Sequence, residues 1–347
     1  DPIPSRGLGD VYKRQTFAIA ILNFNGSVLL KRFIPKIIEN CSEAKLYVID
    51  NNSNDNSVEL ISEKYPEINL IRLDNNYGYA KGYNLGIKKI DEDVIFFLNN
   101  DAVFLDKDSF KYICETFKSN LNICVAQPRI IDYNNHDIYE YAGASGGYLD
   151  LLGYPFCRGR IVNKVESSEK YKTTREIFWA SGCCFVIRKK TFENAGGFDE
   201  SFFCHMEEID LCWRLKNINP KCKIVTIGKS KVYHIGGGTI EYDNPKKNYF
   251  NFRNSITMLI KNLPRKFLIP VILLRVLSDF IILIFSVLTL KIKFSFSIIK
   301  AYYYNIFNIR YNFRKRDILR TSNKYYYTKS ILLAYYIFRK KTFSSLK

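Results

Sequence analysis

Five short, nearly all-apolar runs alternate with helically spaced segments up to residue 126, and that rhythm leaves few folds open. The runs are residues 16–24 (TFAIAILNF), 45–50 (KLYVID), 69–73, 94–98 (VIFFL) and 123–126; the helical stretches are 27–40, 57–64, 80–90 and 107–118. A strand that is apolar on both faces must be covered on both, and the crossover helices between parallel strands supply that cover. The alternation therefore predicts an α/β fold with a doubly wound, mostly parallel sheet. Ligands of such sheets sit at the carboxyl ends of the strands.

Beyond residue 131 the rhythm stops. Residues 132–175, rich in Tyr, Gly, Asn and charge, read as an elaborated loop region with short strands. Order resumes with a strand-like stretch at 178–187, a short helix at 190–195, a helix at 207–217, and strands at 223–227 and 231–234. From residue 248 onward the chain is helical, aromatic and basic. With 47% hydrophobic and 25% charged residues in 347, it is neither disordered nor polytopic, and no internal repeat stands out. Residues 1–15 have no apolar signal core and read as a leader foreign to the fold. The nine cysteines form no paired C-x-x-C knuckles, which predicts buried thiols in a reducing compartment.

The net charge of +18 would favour nucleic acid, anionic lipid or a phosphorylated ligand if it lay on one surface. Residues 291–347 hold 14 Lys/Arg against the single acid Asp317, which is +13 of that total. The body is nearly balanced.

The strand ends are unusually polar: Asp50 within IDNNSNDNS, Asp74 and Asn75 after the third strand, and Asn99, Asn100 and Asp101 after the fourth. Asx residues end strands in any protein because they bond nearby backbone. Three strands delivering such groups to one rim also describe a polar ligand site, and Asp101, following a buried run, needs a cation or a donor. Gly78, Gly82 and Gly86 recur every four residues, clearing one helix face for a ligand or a neighbouring element. In GGFDESFFCHMEEIDLCWR, Glu207, Asp210 and Arg214 share one helical face and Glu208 points elsewhere. Acids at a helix start meet a favourable dipole; set among bulky apolar residues, they acquire raised pKa values and suit a general base. His234, before three glycines, is either a packed histidine or a ligand for a cation or diphosphate.

Taken in order, ILNFNG, IDNNSNDNS, NNYGYAKGYNLG, FLNND, GGFDESFFCHMEEIDLCWR and YHIGGGT resemble the motifs of glycosyltransferase family 2, which has the GT-A fold, and within it the rhamnosyltransferase-like branch. The resemblance implies a catalytic domain over residues 16–262, with a nucleotide-binding half to 130 and an acceptor half beyond it. It implies that Asn25, Asp50, Asn75, Gly78, Lys81, Asn84 and Asn100 serve the nucleotide sugar, and that Asp101, assisted by His234, holds Mg²⁺ or Mn²⁺. It makes Glu208 the catalytic base, with Trp179, Gly182, Glu207 and Asp210 in the acceptor region. Asn99 replaces the first aspartate of the family's D-x-D, and Glu208 stands where an aspartate is usual. The implied activity is inverting transfer of a sugar, such as rhamnose, from a dTDP-, UDP- or GDP-linked donor to a saccharide or lipid-linked acceptor in bacterial surface polysaccharide synthesis.

Residues 263–347 read as a basic, aromatic, helical membrane-associating extension. The apolar stretch 267–290 is long enough to cross a bilayer of about 30 Å, yet Arg275 and Asp279 each cost roughly 2.5–3.5 kcal/mol there unless paired. A single crossing would also put the basic tail opposite the catalytic domain. The expectation is a peripheral or re-entrant element on the cytoplasmic face of the inner membrane, with Tyr302–Tyr304, Tyr325–Tyr327 and Tyr335–Tyr336 at the anionic headgroups. A nucleic-acid-binding protein and an inactive membrane scaffold of the same fold are the alternatives. The nearly balanced body speaks against nucleic acid as a partner.

Overall fold

The computed structural model describes residues 15–236, 244–316 and 325–346. Residues 1–14 of the leader, together with Gly237, Gly238, Thr239 and Asp317, lie outside the described residues. The alternating first half forms β1 (Phe17–Asn23), α1 (Ser27–Asn40), β2 (Ala44–Asp50), α2 (Ser57–Lys64), β3 (Asn69–Arg72), α3 (Gly78–Ile87) and β4 (Val94–Asn99). Strands β3, β2, β1 and β4 lie side by side, all parallel. Helix α1 turns Leu30, Phe33, Ile34 and Ile37 to the core, the i, i+3, i+4, i+7 face its spacing predicts.

A two-residue strand β5 (Ala102–Val103) and helix α4 (Lys107–Ser119) follow; the Asp106 carboxylate caps α4 by accepting the Ser109 N–H at 2.7 Å. Next come β6 (Ile123–Asp132) and a separate antiparallel sheet of β7 (Gly147–Leu149), β8 (Pro155–Cys157), β9 (Arg160–Ile161) and β10 (Lys164–Val165). This small sheet is the elaborated region. The chain then adds β11 (Arg175–Glu176), β12 (Cys184–Arg188), α5 (Lys189–Asn194), α6 (Glu207–Ile218) and β13 (Lys223–His234). The main sheet runs β3-β2-β1-β4-β12-β6-β13-β11, with β12 inserted antiparallel between β4 and β6.

Two expected boundaries move. The strand expected from residue 178 begins only at Cys184, because Trp179 instead makes an isolated bridge to Gly147 of β7. The two strands expected at 223–227 and 231–234 are one, β13, whose register against β6 shifts between Ile227 and Lys231. The intervening Gly-Lys-Ser is thus absorbed as an irregularity in a continuing strand.

The cysteine expectation is corrected at one pair. Cys124 and Cys222 form a disulfide across neighbouring chain segments, with Cα atoms 5.5 Å apart. Of the seven free cysteines, all but Cys204 are buried. Residue spacing alone could not reveal a pair 98 positions apart.

The C-terminal part comprises α7 (Pro245–Asn262), α8 (Arg265–Leu288), α9 (Ile292–Phe307), α10 (Ile309–Arg314) and α11 (Ile331–Tyr336). Arg275 and Asp279 pair at 2.9 Å and are buried. Tyr302 donates to Asp279, and Arg275 reaches the Leu152 carbonyl, so this polar face of α8 is stitched to the body. The opposite side is apolar and open, with Ile269 70% and Phe285 66% exposed. The tyrosine expectation is corrected for the 325–327 group alone, since Tyr303 and Tyr336 are exposed: Tyr325 is buried and stacks on Trp213, while Tyr327 stacks on Phe343 beside Tyr148. They are core residues, because the chain end folds back over β7 and β8. Part of the basic excess is internal too, since Lys315 pairs with Asp199 and Arg316 donates to the Leu263 carbonyl.

Candidate active site

Sheet register gathers the polar strand ends: Asn23 lies opposite Asp50, and Leu22 opposite Asn99. The side-chain amide of Asn23 links the rim, accepting from Asn100 at 3.1 Å and donating to Ser53 Oγ at 3.2 Å. Asp50 accepts the Ser53 N–H at 3.0 Å. Asn51 accepts the Tyr77 N–H at 3.0 Å and donates to Asn76 at 3.0 Å, tying this loop to the start of α3.

Above this rim lies a cavity of about 560 Å³. Asn51, Asn76, Gly78, Asn100, Glu140, Gly182, His205, Glu207, Glu208 and His234 are among its lining residues. Asp101 stands behind His234, its Oδ1 3.0 Å from Nε2, and His234 Nδ1 is 3.3 Å from Glu140. Burial opposes charge on this imidazole, but Cys183, Asp101 and Glu140 carry its pKa well above the ordinary histidine value.

The acidic wall is built on a strained turn. Phe203, His205 and Met206 have φ of 63°, 69° and 73°, a left-handed region that costs non-glycine residues energy. Asn254 of α7 pins the turn by donating to the carbonyls of Phe202, Cys204 and His205, and Arg253 donates to those of Ser201 and Phe202. The Phe203 carbonyl accepts the Tyr79 N–H at 2.7 Å, anchoring the turn to α3. Helix α6 then starts with Glu207 and Glu208. Burial pushes the Glu208 carboxyl up to about 7, against the backbone N–H groups that favour its charge. Glu207 is raised well above the ordinary value by burial and by its neighbour Glu208. Glu207 Oε2, Glu208 Oε2 and His205 Nε2 are buried without partners among the described residues. Such atoms are costly unless a ligand meets them.

Of the residues singled out from sequence, Gly78, Asn100, Gly182, Glu207, Glu208 and His234 line this cavity; Asp50 and Asp101 stand just behind it. Others are turned elsewhere. Exposed Asn25 accepts from the Asn54 N–H, and exposed Asn75 is displaced by Asn76. Lys81 lies over the Tyr77 ring at 4.2 Å, and Asn84 clamps Phe198 through both N–H and C=O. Trp179 donates to the Tyr148 carbonyl, and Asp210 is fully buried between Lys261 and Arg214. Lys81, Asn84, Trp179 and Asp210 already have protein partners, whereas Asn25 and Asn75 are exposed. Gly82 and Gly86 resolve as packing: a Cβ would lie 2.9 Å from Leu22 and 2.3 Å from Ile49. Glu140 and His205 were missed, since neither sits at a predicted strand end or in a spaced pattern.

Residues 18–196 match the family model described as Glycosyl transferase family 2. Among curated relatives, the chain is 24% identical over 245 residues to the low-salt glycan biosynthesis hexosyltransferase Agl10 of Haloferax volcanii, covering 68% of this chain and 73% of that one. It is 24% identical to an N-acetylglucosaminyl-diphospho-decaprenol L-rhamnosyltransferase of Mycobacterium tuberculosis, covering 54% and 66%. It is 26% identical to the dTDP-rhamnosyl transferase RfbF of Shigella flexneri, covering 65% and 75%. Among solved structures, GalNAc-T7 with UDP, GalNAc and Mn²⁺ superposes with a TM-score of 0.53 at 17% identity, covering 71% and 47%. The likeness to that structure is one of fold.

Proposed function

The chain belongs to glycosyl transferase family 2, with the GT-A fold and relatives in its rhamnosyltransferase branch, and from that premise we propose that it transfers a sugar with inversion from a nucleotide diphosphate to a saccharide or lipid-linked acceptor. One observation carries this reading: the carboxylates of Glu207 and Glu208 share a cavity with Asn100 and with His234, which Asp101 backs at 3.0 Å.

An acceptor hydroxyl is a poor nucleophile until its proton is taken in the transition state. Glu208, with its pKa raised to about 7, is ionised in a useful fraction near neutrality and still basic enough to accept that proton. It faces the cavity from α6 beside Gly182, where a Cβ would lie 2.9 Å from the Tyr79 hydroxyl and 3.8 Å from Glu208 Oε1. Asn100 and Gly78 line the same cavity, where a hydrogen-bonding amide and an uncluttered backbone suit a nucleotide sugar. Asp50 acts by holding the 51–53 loop in place.

Asp101 would supply a carboxylate oxygen, the donor type that suits Mg²⁺ or Mn²⁺ with diphosphate oxygens as further ligands, while His234, kept charged between Asp101 and Glu140, would assist as a cation facing the diphosphate. Among the described residues no three His, Cys, Asp or Glu side chains converge to hold a metal ion. A bound divalent ion would neutralise the charge that develops on the departing diphosphate.

The open apolar side of α8 and α9 supports peripheral attachment to a membrane, which we assign to the cytoplasmic face of the bacterial inner membrane. Helix α8 is long and apolar enough to span, but its Arg275–Asp279 face is sealed against the body. A helix with one face committed to the protein lies along the surface.

The test is mass-spectrometric: folded protein with Mn²⁺, a panel of dTDP-, UDP- and GDP-sugars, and N-acetylglucosaminyl diphosphate lipid as acceptor. Transfer from one donor, with dTDP-rhamnose the first choice, is the expected result. Every donor surviving intact, with and without acceptor, would overturn it.

A further inference from the structure

A second groove, of about 410 Å³, opens between the first turn of α7 and the start of α9. Ile292, Phe296 and Tyr249 give it apolar walls, and Lys246, Lys293 and Lys300 ring it with charge. None of these lysines has a carboxylate partner among the described residues; Lys300 instead sits 5.0 Å from the Tyr249 ring centroid. Three exposed lysines bordering one groove give it a positive potential that favours an anion. The 18-residue helix α7 begins at the same place and adds the positive end of its dipole. The Ser297 hydroxyl donates to the Pro245 carbonyl at 3.0 Å, fixing α9 against that first turn.

The groove has two exits. Lys246 borders both it and the catalytic cavity that holds Glu208, so a ligand seated among the lysines can extend into that cavity. In the other direction, Phe296, Ile299 and Tyr303 are exposed in succession along α9 and continue the open apolar side of α8. One ligand chemistry satisfies all three regions: a hydrocarbon chain, a phosphate or diphosphate, and a polar sugar, in that order. A soluble anion would leave the apolar exit unused. A simple anionic phospholipid would leave the path to Glu208 unused.

We infer that the α7–α9 groove seats the diphosphate and first hydrocarbon units of a lipid-linked acceptor, presenting its sugar past Lys246 to the catalytic cavity. The sugar's fate there rests on the glycosyl-transfer reading above; binding of the lipid diphosphate does not. The test uses farnesyl diphosphate as probe, titrated against the full chain beside inorganic diphosphate and farnesol. Farnesyl diphosphate is expected to bind at least about tenfold more tightly than either half alone. Lys293→Glu/Lys300→Glu should weaken it by about tenfold or more, whereas the charge-matched Lys31→Glu/Lys36→Glu on α1 should not. If the glutamate pair melts early, Lys293→Gln/Lys300→Gln serves in its place.

Inorganic diphosphate binding as tightly as the farnesyl compound would reduce the groove to an anion patch and overturn the inference. Unaltered affinity in both the glutamate and glutamine pairs would do the same, as would equal competition by phosphatidylglycerol vesicles. The donor panel is scored separately on unmodified protein. Absent turnover with intact farnesyl diphosphate binding would sink the glycosyl-transfer reading and leave the groove standing; turnover without such binding would do the reverse.

Discussion

Lys261 on α7 lies 2.9 Å from Asp210 on α6, and both side chains are buried. The same ammonium pairs with Asp199, Arg214 closes on Asp210 at 2.8 Å, and Asn262 donates to it at 2.7 Å. The cluster thus welds α7 to the base of the helix that begins with Glu207 and Glu208. Removing one partner of a buried ion pair strands the other charge in a poor dielectric. We predict that Lys261→Met destabilises the protein by about 3–5 kcal/mol in urea unfolding. A loss below about 1 kcal/mol would mean that the acids are solvated or neutral in the native protein.

Glu208→Gln keeps the size and loses the proton acceptor. Transfer should fall by roughly 10²–10⁴-fold, while nucleotide binding, followed by calorimetry, stays within about twofold of the parent. Because the base is the ionised form, turnover by the unmodified enzyme should rise with pH and level off above about 7. A pH–rate profile flat from pH 5 to 8 would show that Glu208 is not the group being titrated.

The neighbouring Glu207 has a different signature. Its pKa is raised on folding, so between the ordinary carboxylate range and the raised value the folded protein binds more protons than the unfolded chain. Stability must then fall as pH rises through that window. Glu207→Gln removes the liability, and the variant should be more stable than the parent at pH 8 and level with it at pH 4. Urea midpoints at the two pH values check this; a variant less stable at pH 8 would show that the carboxylate has a partner in the folded state.

Much of the first half was legible because buried parallel strands leave an unambiguous trace: residues 94–98 are apolar throughout, and β4 occupies them. Gly78, Asn100, Gly182, Glu207, Glu208 and His234, all singled out from sequence, line the cavity. Asp50 and Asn75 were singled out where Asn51 and Asn76 line the cavity, since strand-end side chains alternate in direction and sequence does not say where the alternation breaks. Asn84 and Asp210 carry the right chemistry for a ligand but are bonded to Phe198 and Lys261, partners that only the tertiary fold brings near. Glu140 lies in the irregular region before β7, where no period exists to place a side chain. Tyr325 and Tyr327 show the converse error: a Tyr-rich, Lys-rich composition resembles an interfacial segment, yet stacking on Trp213 and Phe343 decides their place.

Gly78 starts α3 at φ +72°, and a Cβ there would come 2.7 Å from the Phe203 carbonyl oxygen. That oxygen also accepts the Tyr79 N–H, so an added methyl pushes apart the contact that anchors the acidic turn. Gly78→Ala should cost about 1–3 kcal/mol of stability and reduce transfer well beyond that loss, as Glu207 and Glu208 move. Gly86→Ala is the control: its Cβ meets the Ile49 side chain, which costs stability, but lies outside the cavity lining, so activity per folded molecule should hold. Equal activity losses in the two variants would show that the turn is not coupled to Gly78.

The open apolar side of α8 gives the last expectation. Leu277 and Phe285 are more than half exposed, and neither contributes to the Arg275–Asp279 face that packs on the body. Leu277→Glu/Phe285→Glu should therefore fold normally while losing the membrane contact that each apolar side chain supplies, about 1.5–3 kcal/mol apiece when fully buried in lipid. Co-flotation with phosphatidylglycerol-containing vesicles should fall by at least about tenfold, with the urea midpoint unchanged. Flotation that survives this double substitution, but is abolished by high salt, would assign attachment to the basic residues and leave the apolar side for a protein partner.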